Sequence, residues 1–251
     1  MEMSRKIEVK NLSKSFFYKK DSVQVLKGLS FDVFENEFLV ILGPGGCGKT
    51  TLLKVLVGEL SYDQGEMQIR GGKNFGFVFQ NFSIFPWMTV RQNVEFGLRM
   101  RSVPERERTE TAARYIDLVG LKGFEDYYPK QISGGMKQRV GIARMLAIGP
   151  EIMLMDNPFG HLDAQTKYHL EGELLKIWDK EKKTILFVTN DIEEAIFLAD
   201  RILLLTRLPA EIQEQFPVRF QRRGPGEELI QRSRTSEEFL KLRKTLTEVF
   251  S

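Results

Sequence analysis

The sequence has no long hydrophobic run, almost no cysteine and little net charge, and each of these absences excludes a class of protein. The apolar stretches are only four or five residues long, far below the 18 or more that a membrane-spanning helix needs. The single cysteine excludes an intrachain disulfide framework and suits a reducing compartment. A formal net charge of +3 argues against a dedicated nucleic-acid-binding protein, which usually carries a strong basic excess.

Targeting and repeat signals are also lacking. The first residues, MEMSRKIEVKNL, place charges where a secretion signal needs an apolar core. Hydrophobic residues make up 42% of the chain and charged residues 28%, which excludes a disordered or low-complexity chain. We therefore expect a folded intracellular protein that reaches a membrane only through a partner.

Four short apolar runs are too brief for helices and too continuous for half-exposed strands. Such runs are typical of central strands in a parallel sheet, and helical patterns separate them. Strand and helix in alternation indicate an α/β fold. The runs are FLVIL (38–42), IMLM (152–155), ILFV (185–188) and ILLL (202–205).

Helical periodicity accounts for much of the remaining chain. Residues 89–147 show it without a clear strand, which predicts a mainly helical insert, and residues 163–180 carry one apolar stripe. An irregular, Arg-rich stretch covers residues 217–234. After it, Thr235 and Glu238 predict a capping box for a last helix. The apolar face of that helix would consist of Phe239, Leu242, Leu246 and Phe250.

The segment GPGGCGKTT, residues 43–51, matches the phosphate-binding pattern GxxxxGK[ST] between a strand and a helix. Its glycines let backbone N–H groups point inward, and the following helix adds its positive N-terminal end. Lys49 would supply a positive charge for the β- and γ-phosphates, and the Thr50 hydroxyl suits Mg²⁺. The sequence therefore predicts a nucleotide site here.

Other segments supply parts that such a site uses. Asp156 follows a buried strand, the position of an acid that orients the metal. Ser133, Gly134 and Gly135 begin a helical pattern, which is again a phosphate-binding geometry, although an ordinary helix cap would look the same. The segment VFQ, which ends at Gln80, closes a predicted strand before the helical insert.

The order GPGGCGKTT, Gln80, ISGGM, MLMD, HLD resembles the nucleotide-binding subunit of ATP-binding-cassette (ABC) transporters, over residues 5–215. The resemblance implies an α/β P-loop NTPase fold with a RecA-like parallel-sheet core, an N-terminal antiparallel β subdomain and an inserted α-helical subdomain. Within a single domain spanning 1–251, it implies a core of residues 1–80 and 151–215, a helical subdomain of 81–150 and an extension of 216–251.

The resemblance also implies roles for individual residues. Phe16 would stack on adenine, with Phe17 and Tyr18 as alternatives, and Thr50, Gln80 and Asp156 would hold Mg²⁺. Each subunit of a dimer would cover the ATP of the other with its signature segment, and Asp163 would lie in the loop that crosses the interface. The implied nucleotide contacts are Phe16, Gly43, Pro44, Gly45, Gly46, Cys47, Gly48, Lys49, Thr50, Thr51, Ser133, Gly134, Gly135 and Met136.

The resemblance implies that hydrolysis involves positions 157 and 190 together with Gln80 and Asp163. Two of these four positions, 157 and 190, depart from the family pattern. Asn157 stands where relatives carry a Glu that polarises the attacking water, and Asn190 stands where they carry a His. An amide cannot accept a proton as a carboxylate does. We therefore expect ATP binding to be intact and hydrolysis to be slow in this chain.

Several functions fit this pattern. One is the energising subunit of an importer, working with two permease chains and an external solute-binding protein at the cytoplasmic face of the membrane. Details around the motifs are similar to the importers of nitrate, sulfonates and taurine. A second is a degenerate subunit paired with a different, active ATPase. Asparagines introduced by design to trap ATP would be another explanation for positions 157 and 190. A soluble ABC protein acting on nucleic acid or ribosomes is the third, and the low net charge disfavours it.

The segment Phe85, Pro86, Trp87 resembles the surface that receives a permease helix in this family. Its residues could equally belong to the core of the helical subdomain.

Overall fold

A computed structural model describes residues 4–18, 21–70, 75–79, 84–219 and 233–250. The chain forms two compact units: residues 1–74 with 174–251, and residues 75–173. Within the described ranges, no helix combines the length and apolar character that crossing a membrane requires. Gln80, most of the Arg-rich stretch and the side chain of Tyr18 lie outside the described residues.

The strands, in chain order, are β1 (Arg5–Tyr18), β2 (Asp21–Phe34), β3 (Phe38–Leu42), β4 (Gln64–Ile69), β5 (Phe75–Val78), β6 (Ile152–Asp156), β7 (Thr184–Thr189), β8 (Arg201–Leu205) and β9 (Ile212–Pro217). The helices are α1 (Lys49–Leu56), α2 (Val90–Met100), α3 (Glu105–Leu118), α4 (Gly134–Ala147), α5 (Ala164–Glu181), α6 (Ile192–Leu198) and α7 (Glu237–Phe250), with a 3-10 turn at Pro129–Gln131.

An antiparallel sheet with the order β2-β1-β4 opens the first unit. Many of its apolar side chains, among them Ile7, Val9 and Val33, are buried. Asn11 adopts a left-handed backbone (φ 48°), and the pairing of β1 with both neighbours shifts register beside it. An N-terminal antiparallel sheet was expected from the resemblance, and the structure confirms it.

The parallel part of the first unit has β3 between β7 and β8, with β9 antiparallel to β8 at the edge. Every residue of β3 and β7 is buried, which explains why these strands appear in the sequence as continuous apolar runs. The runs at 38–42, 185–188 and 202–205 are therefore confirmed as strands.

A charged pair ties the start of β3 to the start of β8. Glu37 accepts from Arg201 through both oxygens, at 2.8 Å from Nε and 3.2 Å from Nη2. The guanidinium also lies over the Phe34 ring at 5.4 Å. Two parallel charge-assisted hydrogen bonds fix direction as well as distance, so this pair holds the two strands at a defined offset.

The second unit contains the parallel strands β5 and β6 and helices α2, α3 and α4. The helical insert predicted for 89–147 and the strand predicted at 152–155 are confirmed. Thr89 and Gln92 form a reciprocal capping box at the start of α2. Gly97 lets α2 approach α4, because a Cβ at that position would collide with Cγ2 of Ile148, just beyond the end of α4.

The last helix begins one residue later than the predicted cap implied. Ser236, rather than Thr235, caps α7, and its Oγ accepts from the Phe239 backbone N–H at 3.2 Å. Phe239 and Leu246 are buried, as the predicted apolar face required. An ion pair between Arg243 and Glu193, at 2.8 Å, links α7 to α6.

We predict that Gly97→Ala destabilises the protein by about 1–3 kcal/mol, because the added methyl group overpacks the contact with Ile148. Gly141→Ala in α4 is the matched control. A Cβ at position 141 meets nothing within 4 Å, so this variant should gain about 0.5–1 kcal/mol from reduced backbone entropy. Urea unfolding followed by circular dichroism measures both. Equal effects of the two substitutions would contradict the packing argument.

Candidate functional site

A glycine-rich loop, residues 43–48, connects the buried end of β3 directly to the first turn of α1. Gly48 has φ 121°, a conformation that side-chain-bearing residues rarely adopt, and a Cβ there would lie 2.9 Å from Cγ1 of Val25. Gly46 is also left-handed, with φ 77°. The glycines at these two positions are therefore required by the backbone path.

The ammonium group of Lys49 lies inside the curl of this loop. It donates to the carbonyl oxygens of Gly43 and Pro44, both at 2.7 Å, and lies 3.8 Å from the Sγ of Cys47. Lys49 and Cys47 are both buried. The loop thus places a positive charge at its centre, and Cys47 is a small buried filler beside it.

The surroundings of the loop favour an anion. The first turn of α1 has no acidic residue, and its free backbone N–H groups carry the positive end of the helix dipole. Gly45, Gly46 and Thr50 are exposed, and Thr51 is half-buried. Together these groups can bind a phosphate chain through backbone N–H groups, one ammonium and a hydroxyl.

The end of β7 adjoins the loop. Leu42 of β3 pairs with Thr189, and the Gly43 N–H donates to the Thr189 carbonyl at 3.2 Å. Thr189 Oγ1 accepts from the Asp191 N–H at 3.0 Å, and Asp191 in turn caps α6. Asn190, the residue between them, is exposed beside the glycine-rich loop. The sequence pattern had identified Asn190 but not the role of Thr189 in placing it.

The candidate adenine-stacking residues lie near the end of β1. Phe16 is 41% exposed and Phe17 80%, and they pair with Val23 and Ser22 of β2. Lys14 Nζ lies 5.5 Å from the centroid of the Phe16 ring. Both rings are available to a planar ligand, so exposure leaves both candidates open.

In the second unit, Asp156 is buried at the carboxyl end of β6, and Asn157 follows in a left-handed conformation with φ 43°. Asparagine tolerates this region better than most residues with a side chain. The carboxamide packs against the backbone of Gly160, where a Cβ would lie 2.6 Å from Nδ2 of Asn157.

Ser133 and Asp163 act as helix caps in the second unit. Ser133 Oγ accepts from the Met136 N–H at 3.3 Å at the start of α4, and Ser133 itself is exposed. The loop before α5 lies against this helix start, since a Cβ at Gly135 would lie at contact distance, 3.4 Å, from Cδ2 of Leu162. The structure therefore brings the segment 133–136 next to the loop that carries Asp163.

The carboxylate of Asp163 accepts from the Thr166 backbone N–H at 3.0 Å. This hydrogen bond, with smaller contributions from the Thr166 hydroxyl and the charge of Arg139, lowers the pKa of Asp163. Arg139 itself donates to the carbonyls of Val119 and Gly120, both at 3.0 Å, and burial lowers its pKa. Arg139 is a residue that the sequence analysis missed.

The segment Phe85, Pro86, Trp87 forms a turn that the side chain of Asn93 holds through hydrogen bonds. The buried side chain of Asn93 accepts from the Phe85 N–H at 2.7 Å and donates to three carbonyls of residues 85–89. Phe85 packs on Phe96, with the ring centroids 4.5 Å apart, whereas Trp87 is 69% exposed. Core burial therefore explains Phe85 only in part and does not explain Trp87.

A strand, a glycine loop with a central lysine and a helix N-terminus in this order define the fold class: a P-loop nucleotide-binding protein. A family model described as "ABC transporter" matches residues 26–160. The chain belongs to the ABC transporter ATP-binding family.

Named relatives agree. A protein of Methanocaldococcus jannaschii named as an ABC transporter ATP-binding protein is 47% identical over 98% of this chain and 92% of its own length. The nitrate import ATP-binding protein NrtD of Synechocystis is 43% identical over 91% of this chain and 87% of its own length. The aliphatic sulfonates import ATP-binding protein SsuB of Bacillus cereus is 38% identical over 97% of this chain and 95% of its own length.

Solved structures resemble the chain as well. A bacterial ABC transporter cassette solved as a dimer aligns with a TM-score of 0.79 and 31% identity, over 86% of this chain and all of that one. The same cassette, in a dimeric post-hydrolysis state bound to ADP and phosphate, aligns equally well at 30% identity. The expected P-loop fold and ABC family are therefore confirmed.

We predict that Gly48→Ala destabilises the protein by roughly 1–3 kcal/mol, because alanine would be held at a disfavoured φ and against Val25. Gly45→Ala is the control within the same loop, since a Cβ there meets nothing within 4 Å. Chemical unfolding of the two purified variants compares them. A Gly45→Ala variant that loses as much stability as Gly48→Ala would show that the backbone path does not set the requirement.

Proposed function

We propose that this chain is the subunit that binds Mg-ATP for an ABC importer and couples nucleotide binding to transport of a small anion. Membership of the ABC transporter ATP-binding family is the starting point. The observation that carries the site assignment is the Lys49 ammonium, buried in a glycine loop at the N-terminus of α1. The names of the nitrate and sulfonate relatives support the choice of cargo.

In this proposal, backbone N–H groups within residues 45–51 and the Lys49 ammonium hold the phosphates. Lys49 exchanges its bonds to the loop carbonyls for bonds to phosphate oxygens. The Thr50 hydroxyl, Asp156 and Gln80 are the oxygen donors for Mg²⁺, a hard cation that prefers such ligands. Phe16 stacks on the base, with Phe17 and Tyr18 as alternatives.

A second cassette completes the site. Ser133 is exposed at the N-terminus of α4, and Gly134, Gly135 and Met136 follow it in the first turn. A serine hydroxyl and free N–H groups at a helix start suit a γ-phosphate. We propose that this segment covers ATP bound by the partner cassette, with Asp163 in the loop at the interface. The dimeric state of a cassette of similar fold supports the pairing of two cassettes.

Hydrolysis is proposed to be slow in this chain. Asn157 and Asn190 occupy the positions implied for a general base and a γ-phosphate contact, and neither amide takes up a proton near neutral pH. Loss of a positioned base costs about 10²–10⁴ in rate. The second candidate function follows from the same residues: this chain holds ATP statically, and its intact segment 133–136 completes the active site of a different ATPase subunit.

The turn at residues 85–87 is proposed as the contact with the permease. Exposure of Trp87 on a turn fixed by Asn93 supports this role, because a large exposed aromatic side chain on a rigid support is typical of an interface. The protein would then lie at the cytoplasmic face of the membrane, in an assembly with permease chains and an external solute-binding protein. Purification from the native host with identification of the associated subunits tests this assembly.

We predict that Lys49→Ala weakens Mg-ATP binding roughly 10- to 150-fold, because it removes charge-assisted hydrogen bonds worth about 1.5–3 kcal/mol. Isothermal titration calorimetry with Mg-ATP is the measurement. Lys54→Ala is the matched control: Lys54 lies on the same helix but pairs with Glu59 at the surface, and its loss should leave the affinity unchanged. Equal Mg-ATP affinities in the two variants would contradict the proposed nucleotide site at Lys49.

We predict that the double substitution Asn157→Glu with Asn190→His raises ATP turnover about 100-fold or more, because it supplies a proton acceptor and a second phosphate contact. Phosphate release by the purified chain measures this rate. Asn157→Gln with Asn190→His is the control, since glutamine has the length of glutamate without its basicity. If the glutamate and glutamine variants turn over ATP equally, the account of the asparagines is wrong.

A further inference from the structure

An open cavity of about 290 Å³ lies beside Pro44 of the glycine-rich loop, within the first unit. Pro44 forms one wall, the end of β8 and the start of β9 form the floor, and the last turn of α7 closes the far side. The helix end is a fixed wall, because buried Phe239 and Leu246 and the Arg243–Glu193 ion pair hold α7 in place. Apart from Pro44, none of the described residues that line the cavity belongs to the proposed nucleotide site.

The described residues of the lining combine apolar surface with the positive charge of Arg207. Pro44, Leu205, Val249 and Phe250 supply the apolar walls. Arg207 also lines the cavity, and its guanidinium forms no ion pair or hydrogen bond with any part of the chain that the structure describes.

Glu211, the acidic residue closest in sequence to Arg207, pairs with Lys27 at 2.8 Å. Gln213, which also lines the cavity, adds a neutral amide donor. A small apolar cavity with a guanidinium at one side matches a small organic anion with a short hydrocarbon body.

The cavity shares residues with the nucleotide loop. The carbonyl of Pro44 accepts from Lys49 at 2.7 Å. Leu205 packs against the loop, since its Cβ would lie 3.2 Å from a Cβ at position 43. A ligand in contact with Pro44 and Leu205 would therefore hold in place the loop carbonyls that accept hydrogen bonds from Lys49. It would then oppose the change by which the Lys49 ammonium leaves these carbonyls and binds a phosphate.

We propose that this cavity binds a small amphipathic organic anion through Arg207 and that its occupancy weakens nucleotide binding at the adjoining loop. Only the second half of this statement rests on the proposed function. By thermodynamic reciprocity, ATP must weaken binding of the anion by the same factor.

The test titrates butanesulfonate into the full-length chain by calorimetry, with nitrate as a charged probe without a hydrocarbon body and butylammonium as an apolar probe of opposite charge. We expect butanesulfonate to bind, the other two to bind at least tenfold more weakly, and Arg207→Gln to reduce butanesulfonate affinity at least tenfold. Lys244→Gln is the matched control, because it removes an exposed positive charge from α7 away from the cavity and should change nothing.

The Lys49→Ala variant separates this cavity from the phosphate loop, to which a sulfonate could also bind. Retained butanesulfonate binding in Lys49→Ala, with loss in Arg207→Gln, supports the proposal. The reverse pattern, or equal affinity for nitrate and butanesulfonate, overturns it.

Coupling is measured by titrating Mg-ATP with and without saturating butanesulfonate. We expect the dissociation constant for ATP to rise about fivefold or more in the wild-type chain and to stay constant in Arg207→Gln. Direct binding of butanesulfonate without any effect on ATP overturns the coupling. A chain that binds butanesulfonate but no ATP at all would instead contradict the proposed function, so the two failures are distinguishable.

Discussion

The pairing of Leu42 with Thr189 on one side and Leu204 on the other fixes where β3 ends. The glycine loop starts at that point, and its first N–H is bonded to the Thr189 carbonyl. A shift of one residue in this parallel register would turn each buried side chain to the opposite face and displace the loop from the start of α1. The position of the Lys49 ammonium, and with it the proposed phosphate site, depends on this alignment of three strands.

The two units carry different parts of the proposed machinery. The first contains the glycine loop, Asn190 and the exposed aromatic side chains of β1, whereas the second contains Asp156, Asn157 and the helix start at Ser133. In both units the polar residues follow buried strands or begin helices, where backbone groups are unsatisfied by secondary structure. Among the groups proposed for binding, Lys49 is held by two loop carbonyls, Asp156 is buried and Ser133 caps α4. The two positions implied for a general base and a γ-phosphate contact hold amides instead.

The sequence was sufficient to identify the buried strands and the glycine loop, because each depends on residues that are adjacent in the chain. The long strands β1 and β2 were expected only through the family resemblance, since bulges and exposed charges break their apolar alternation. Ties such as Glu37–Arg201, separated by 164 positions, and the support of residues 85–89 by Asn93 depend on tertiary contacts. No local pattern encodes them, so they emerge only from the folded chain.

The close contact between Asn157 and Gly160 has an evolutionary consequence. A Cβ at position 160 would lie 2.6 Å from Nδ2 of Asn157, so a larger residue there requires the carboxamide to rotate away. The two positions are therefore expected to be epistatic, because the cost of substituting residue 160 depends on which side chain stands at 157.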